Sequence, residues 1–227
     1  MISYYELELE IKLKRNVYFS KSHELLSKFF NKVMFTDNYL KKLHEDSGFK
    51  LYSFSGLYPA ENDKIYKANT LYKVRMRSLD AKFICAMQFA LSQITDRDIN
   101  VISIKLIKKQ QQFINEIVTI TPAVFTINPK EGHWQIGNDI DLLEKRMTTN
   151  LEKKYNALFN TKIKTSDIFF HCLNITNMKT IYIPYKEGLL LSNKFRIQVK
   201  EDDISQKLAT IALGAGLGEK NSIGMGF

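Results

Sequence analysis

Residues 6–14, Glu-Leu-Glu-Leu-Glu-Ile-Lys-Leu-Lys, alternate strictly between charged and apolar side chains. Successive side chains on a strand point to opposite faces, so Leu7, Leu9, Ile11 and Leu13 make one apolar face of a half-buried strand. The period then changes. Leu25, Leu26, Phe29, Phe30 and Val33 recur at helical spacing and predict a helix running to about Met34, with Ser20 or Ser22 as its cap. Asp37 or Asn38 caps a short helix from Tyr39 to Glu45, closely followed by Gly48. Phe49–Ser55 and Leu71–Arg77 read as strands; in the second, Lys73, Arg75 and Arg77 share one face while Tyr72, Val74 and Met76 take the other. Residues 79–94 return to helical period through Leu79, Phe83, Met87, Ala90 and Ile94, and Val101–Lys108 is a strand rich in Ile and Val.

This order, β-α-(short α)-β-β-α-β, is that of a ferredoxin-like unit, the topology shared by RNA recognition motifs. The second half follows it more loosely. Phe113–Ile120 reads as a strand, and Pro122–Gln135 as a hairpin region around Asn128-Pro129-Lys130-Glu131-Gly132. Residues 139–158 form an amphipathic helix through Ile140, Leu143, Met147, Leu151, Tyr155 and Leu158. Strands are expected near 166–175, 179–185 and 189–199, and Asp202 or Asp203 opens a helix to about Leu213. The fold class expected is α+β: tandem ferredoxin-like domains over 1–112 and 113–227, packed directly together, with a C-terminal glycine-rich loop. No linker rich in Pro, Gly or Ser separates the halves.

The 227 residues are 44% hydrophobic, enough to build a packed core and too apolar for wholesale disorder. No apolar run approaches the ~20 residues that span a bilayer, and the first residues carry no signal-peptide pattern. Two cysteines, Cys85 and Cys172, are too few for a disulfide scaffold, and with four histidines they show no metal-ligand spacing. A cytoplasmic protein without metal or cofactor is the expectation. The net charge of +9 is uneven, about +7 over residues 1–112 and +2 over 113–227. Such a surface draws in polyanions, nucleic acid or an anionic membrane, unless it is only a solvated lysine-rich face.

The least ordinary segment is Gly214-Ala-Gly-Leu-Gly-Glu-Lys-Asn-Ser-Ile-Gly-Met-Gly226-Phe227, which holds five of the ten glycines: Gly214, Gly216, Gly218, Gly224 and Gly226. Glycine permits positive φ and close approach of backbone N–H groups to an anion, while Lys220, Asn221 and Ser222 add donors. The common phosphate loops do not fit: Lys220 follows Glu219 rather than Gly, and no helix follows.

The spacing Gly216-Leu-Gly218, five residues, Gly224-Met-Gly226 resembles the glycine-rich motif of the repeat-associated (RAMP) proteins. Its core, Gly218-Glu-Lys-Asn-Ser222, resembles in particular that of the CRISPR-associated endoribonucleases of the Cas6 family. Leu43-His44-Glu45, followed by Gly48-Phe-Lys50-Leu-Tyr-Ser-Phe-Ser55, is similar to the family's helix-to-strand segment, and Thr119-Ile-Thr-Pro-Ala-Val124 to the segment that opens its second domain. The resemblance implies two ferredoxin-like domains, a catalytic His44 assisted by Lys50, RNA contacts from the glycine loop, and CRISPR repeat RNA as substrate. It also implies effector-complex subunits and a homodimer as candidate partners.

The residue types suit metal-free RNA cleavage, in which the ribose 2′-OH attacks the neighbouring phosphorus to leave a 2′,3′-cyclic phosphate and a 5′-OH. A histidine, with an ordinary pKa near ~6.5, can carry either proton transfer. The resemblance favours His44 as general acid, and sequence alone leaves acid and base both open. Lys50 would stabilise charge on the phosphate oxygens. Lys73, Arg75 and Arg77 make a candidate phosphate track, or an ordinary solvated strand face. The family often places a tyrosine where Phe29 and Phe30 stand here, so either Tyr39 supplies the contact or His44 and Lys50 work alone. His23 reads as a capping or surface residue, or as a second catalytic imidazole; His133 as surface; His171 as a satisfied sheet residue; Cys85 as a small packed hydrophobe. A non-cleaving repeat-RNA scaffold of this fold, and a generic RNA-binding protein, are the alternatives.

Overall fold

The computed structural model describes residues 2–128 and 132–227. The alternating N-terminal segment is β1 (Ser3–Leu13), whose Leu7, Leu9, Ile11 and Leu13 are fully buried. Helix α1 (Phe19–Met34) presents Leu26, Phe29, Phe30, Val33 and Met34 to the same core. Its entry differs from expectation: the helix opens at Phe19, and the Ser22 hydroxyl donates to the Phe19 carbonyl instead of capping. A small ladder of β2 (Val17–Tyr18) and β4 (Ile65–Tyr66) fixes that entry. Helix α2 (Asn38–Glu45) follows, capped by the Asp37 carboxylate, which accepts from Leu40 N at 2.9 Å.

The strand expected over 49–55 shrinks to β3 (Tyr52–Phe54) because Lys50 turns back towards α2. With β5 (Leu71–Ser78), α3 (Ala81–Gln93) and β6 (Ile99–Gln110) the sheet order is β3-β5-β1-β6, every pairing antiparallel. In chain order that is second, third, first, fourth, the ferredoxin-like arrangement. Helix α3 turns Phe83, Ile84, Met87, Ala90 and Leu91 inward, which leaves Cys85 exposed rather than packed.

The second half repeats the plan around β7 (Glu116–Val118). After the hairpin β8 (Thr126–Asn128) and β9 (Gly132–His133) come α4 (Ile140–Phe159) and β10 (Phe170–Ile175). Pro129, Lys130 and Glu131, the centre of the expected hairpin, lie outside the described residues. The run read as one strand over 189–199 is two. β12 (Gly188–Ser192) pairs with β11 (Ile181–Tyr185), whereas β13 (Phe195–Val199) enters the sheet β10-β13-β7. The break is made by Asn193, which exchanges backbone bonds with Ala123 at 2.8 and 3.0 Å, and by Asn177, whose Oδ1 accepts from Lys194 N at 2.6 Å.

Helix α5 (Asp203–Ala215) then packs across the ends of β1, β3 and β5. The second core takes in Tyr4 and Leu79 from the first half. Gly214 allows that approach, since a Cβ there would lie 2.7 Å from the Leu79 side chain. The closing segment runs beside the stretch after β7: Ile120 N donates to Phe227 O at 2.7 Å and Gly226 N to Pro122 O at 2.9 Å.

Candidate functional site

Helix α2 ends one residue after His44, and its last carbonyls have no partner within the helix. Lys50 supplies one: its Nζ donates to the carbonyls of Leu43 and Asp46. The ammonium also sits at the negative end of the helix dipole. Burial lowers the Lys50 pKa and Asp46 works against that. An ammonium has three N–H donors, so one remains for another acceptor. His44 is half-buried, its ring edge-on to Phe35 with centroids 5.0 Å apart. Leu43, Asp46, Lys50, Tyr52 and Asp80 line a cavity of about 90 Å³, and His44 is not among its lining residues.

Neither Phe29 nor Phe30 brings a hydroxyl here, and that of Tyr39 is engaged elsewhere. Phe29 and Phe30 are core residues, and Tyr39 donates its hydroxyl to Asp80 at 3.1 Å. Burial and Asp80 push the Tyr39 pKa up to about 12.

Lys50 leads into β3, and β3 touches the glycine-rich loop. A Cβ on Gly216 would lie 3.0 Å from Ser53 Cβ, and one on Gly224 would lie 2.6 Å from the Phe54 ring. The loop leaves α5 and makes a short 3-10 turn over Asn221–Ile223. It closes on itself through Leu217 N donating to Gly226 O at 2.7 Å. Gly226 has φ +68°, and a Cβ there would fall 1.9 Å from the Leu217 carbonyl oxygen, so no other residue fits without moving backbone.

The three polar residues of this loop divide. Lys220 is exposed and Ser222 half-buried, whereas Asn221 is buried. The Asn221 amide donates to Leu217 O at 3.0 Å and Met225 O at 2.9 Å, and its Oδ1 accepts from Lys154 at 2.7 Å. The side chain predicted to face RNA therefore holds the loop together. Glu219 also turns inward, its carboxylate accepting from Thr126 Oγ1 at 2.6 Å.

Lys154 is the residue that sequence reading missed. It lies fully buried on α4 and donates to Gly216 O at 2.7 Å, Gly218 O at 2.8 Å and Asn221 Oδ1. Burial pulls its pKa down to about 7, with Glu219 acting in the opposite sense. A signal existed: Met147, Leu151, Lys154 and Leu158 are spaced four, three and four apart, so a lysine stands within the apolar stripe.

On the other side of the loop lies His23 of α1. A Cβ on Gly224 would be 3.1 Å from its Nδ1, which has no hydrogen-bond partner among the described residues. His23 is neither a cap nor a surface residue. Burial, helped by Lys194, pulls its pKa down to about 4, so it is neutral near pH 7. His133 is half-buried rather than surface and accepts from Leu191 N at 3.3 Å. His171 pairs with Glu201 at 3.2 Å on an exposed strand face.

The strand-face cations are paired across the ladder. Lys73, Arg75 and Arg77 stand opposite Glu10, Glu8 and Glu6, at 4.0, 3.7 and 2.6 Å. Arg77 and Glu6 are largely buried, and the guanidinium lies 4.3 Å from the Phe227 ring centroid. Only Lys73 and Arg75 remain open enough to meet a phosphate. Among the described residues, no group of three or more His, Cys, Asp or Glu could hold a metal ion, and no helix is long and apolar enough to cross a membrane.

Residues 105–227, more than half of the chain, match the family described as CRISPR associated protein Cas6, C-terminal. The chain belongs to the Cas6 family. It is 24% identical over 237 residues to the CRISPR-associated endoribonuclease Cas6 2 of Methanocaldococcus jannaschii, with 97% of each chain covered. Two solved structures are similar in fold. One is described as an RAMP protein binding different RNA substrates (TM-score 0.73, 19% identity, 98% of each chain), the other as a Cas6-related protein from Pyrococcus furiosus (TM-score 0.73, 18% identity, 99% of this chain and 97% of that one). The tandem ferredoxin-like arrangement of Cas6 structures is thus the arrangement of this chain.

Proposed function

We propose that this Cas6-family protein is a metal-independent endoribonuclease that binds CRISPR repeat RNA and cuts it, with His44 and Lys50 at the reacting phosphate. The observation that carries this reading is the Lys50 contact with the Leu43 carbonyl. It ties the ammonium to the backbone beside His44 and leaves one N–H for a non-bridging oxygen. The ribose 2′-oxygen attacks phosphorus as its proton passes to solvent water; the bond to the 5′-oxygen breaks, and the His44 imidazolium gives that oxygen a proton. Lys50 holds the charge that develops between those events. The products are a 2′,3′-cyclic phosphate and a 5′-OH end.

The glycine-rich loop, with Lys220 and Ser222 outward, binds RNA phosphate, and exposed Lys73 and Arg75 extend the contact. Residues 1–112 form the domain that carries the reacting pair, and residues 113–227 the domain that carries the loop. The protein works in the cytoplasm, where effector subunits and a second copy of the chain are its candidate protein partners.

Phe29 and Phe30 carry no hydroxyl and the Tyr39 hydroxyl is committed to Asp80, which favours a second reading, a scaffold that binds repeat RNA without cutting it. One experiment separates them: incubation of the repeat RNA encoded beside the gene, in EDTA, with product ends identified by mass spectrometry. Cleavage to a cyclic phosphate, lost in His44→Ala while binding persists, supports the nuclease. Intact RNA under conditions of demonstrated binding overturns it in favour of the scaffold.

A further inference from the structure

We propose that Lys154 is a positioning residue for RNA recognition: its protonated amine holds the glycine-rich loop in the shape that presents Lys220 and Ser222, and losing that proton releases the loop. This rests on the reading of the loop as an RNA contact. The argument begins with counting donors. Three acceptors, Gly216 O, Gly218 O and Asn221 Oδ1, lie 2.7–2.8 Å from one nitrogen. An ammonium offers three N–H groups and no lone pair. A neutral amine offers two and would turn a lone pair on the third acceptor, leaving a buried oxygen unsatisfied. The geometry therefore selects the charged form.

The three acceptors come from both limbs of the loop, so one amine gathers the exit from α5 and the 3-10 turn. It also fixes the orientation of Asn221: with Oδ1 committed to Lys154, the amide is free to bond Leu217 O and Met225 O. Among the described residues no carboxylate bonds the amine. Glu219 is the charged group of the loop that faces it, and its carboxylate is turned to Thr126. His133 in turn feels both Glu219 and Lys220, and on α4 itself Glu152 is turned to Thr165. Complete burial, with no bonded counter-ion among the described residues, lowers the Lys154 pKa to about 7, so the proton is lost near neutral pH.

The test measures affinity for the repeat RNA by fluorescence anisotropy in a His44→Ala background, at fixed ionic strength, between about pH 6 and about pH 8.5. Affinity is expected to fall roughly tenfold or more across this range, and to be weak and flatter in Lys154→Gln. Amide hydrogen exchange over residues 216–226, corrected for intrinsic rate and measured without RNA, should accelerate over the same interval. An unchanged pH profile in Lys154→Gln, or loop protection that ignores pH, overturns the proposal. If Lys154→Gln does not fold, the exchange series on the parental protein decides. The two failures are distinct: no RNA binding at any pH overturns the functional reading and with it the RNA role of Lys154, whereas pH-independent binding and exchange overturn the lock alone.

Discussion

His23 ties stability to pH in a direction opposite to that of a histidine with a carboxylate partner. Its imidazole is buried beside Gly224, its Nδ1 has no partner, and its pKa is held at about 4. In the unfolded chain it titrates near ~6.5. The folded value is the lower of the two, so protonation favours unfolding. The contribution is fully present above about pH 6.5 and is lost as pH falls towards 4. Between about pH 7 and about pH 4.5 the loss works out at about 2.5 kcal/mol, close to the ~3.4 kcal/mol reached when both states are protonated. That is a large share of the stability of an ordinary domain. The assay is urea unfolding followed by circular dichroism at a series of pH values, comparing wild type with His23→Gln. Every other titrating group is common to both proteins, so the difference between the curves isolates His23. Wild type should lose its advantage steadily as pH falls. Parallel curves would refute the reasoning and would mean that the imidazole finds a partner or solvent on protonation.

Other outcomes follow from the same geometry. Gly226→Ala should abolish folding or cost more than about 3 kcal/mol, because its Cβ meets the Leu217 carbonyl, whereas Gly137→Ala, at φ +104° with nothing within 4 Å, should cost only the strain of about 1 kcal/mol; thermal unfolding compares them. Glu6→Gln removes the carboxylate partner of largely buried Arg77 and should destabilise by about 3 kcal/mol in urea titrations, with a far smaller effect for the exposed pair partner in Glu10→Gln. Lys50→Met should lower single-turnover cleavage by a hundredfold or more (about 3 kcal/mol in the barrier) with repeat-RNA affinity nearly unchanged.

The parts of the fold that were legible in the sequence are those where one element buries one face. β1 alternates because one side meets α1 and α3, and α4 shows its stripe because Leu143, Met147 and Leu151 meet a single core. Where the chain changes partners, the pattern does not say so. The run through β12 and β13 is interrupted only by Ser192-Asn193-Lys194, and it takes the Asn193–Ala123 backbone bonds and the side-chain bonds of Asn177 to show that it leaves one sheet for another. The glycine loop could be read as a motif, but a polar residue in a motif reads as a donor to a ligand. Asn221 instead bonds the loop itself, and its partner Lys154 lies 67 residues earlier in the chain. The link from Lys50 back to the end of α2 is local, a bond to the Leu43 carbonyl seven residues earlier, so the short sequence spacing could suggest it.

The Lys154 cradle also bears on the order in which the protein becomes competent during synthesis. Helix α4 is made long before the residues that supply its three acceptors, so the amine has no destination until the chain has been read through Asn221. Tyr4 and Leu79 of the first half likewise wait for α5 to cover them. A nascent chain can therefore build the first sheet and tie Lys50 to the end of α2 while the loop is still unformed. The loop sets only once the most distant segments have met, so its arrival marks completion of the fold, and a chain stalled before it carries His44 and Lys50 without the finished loop.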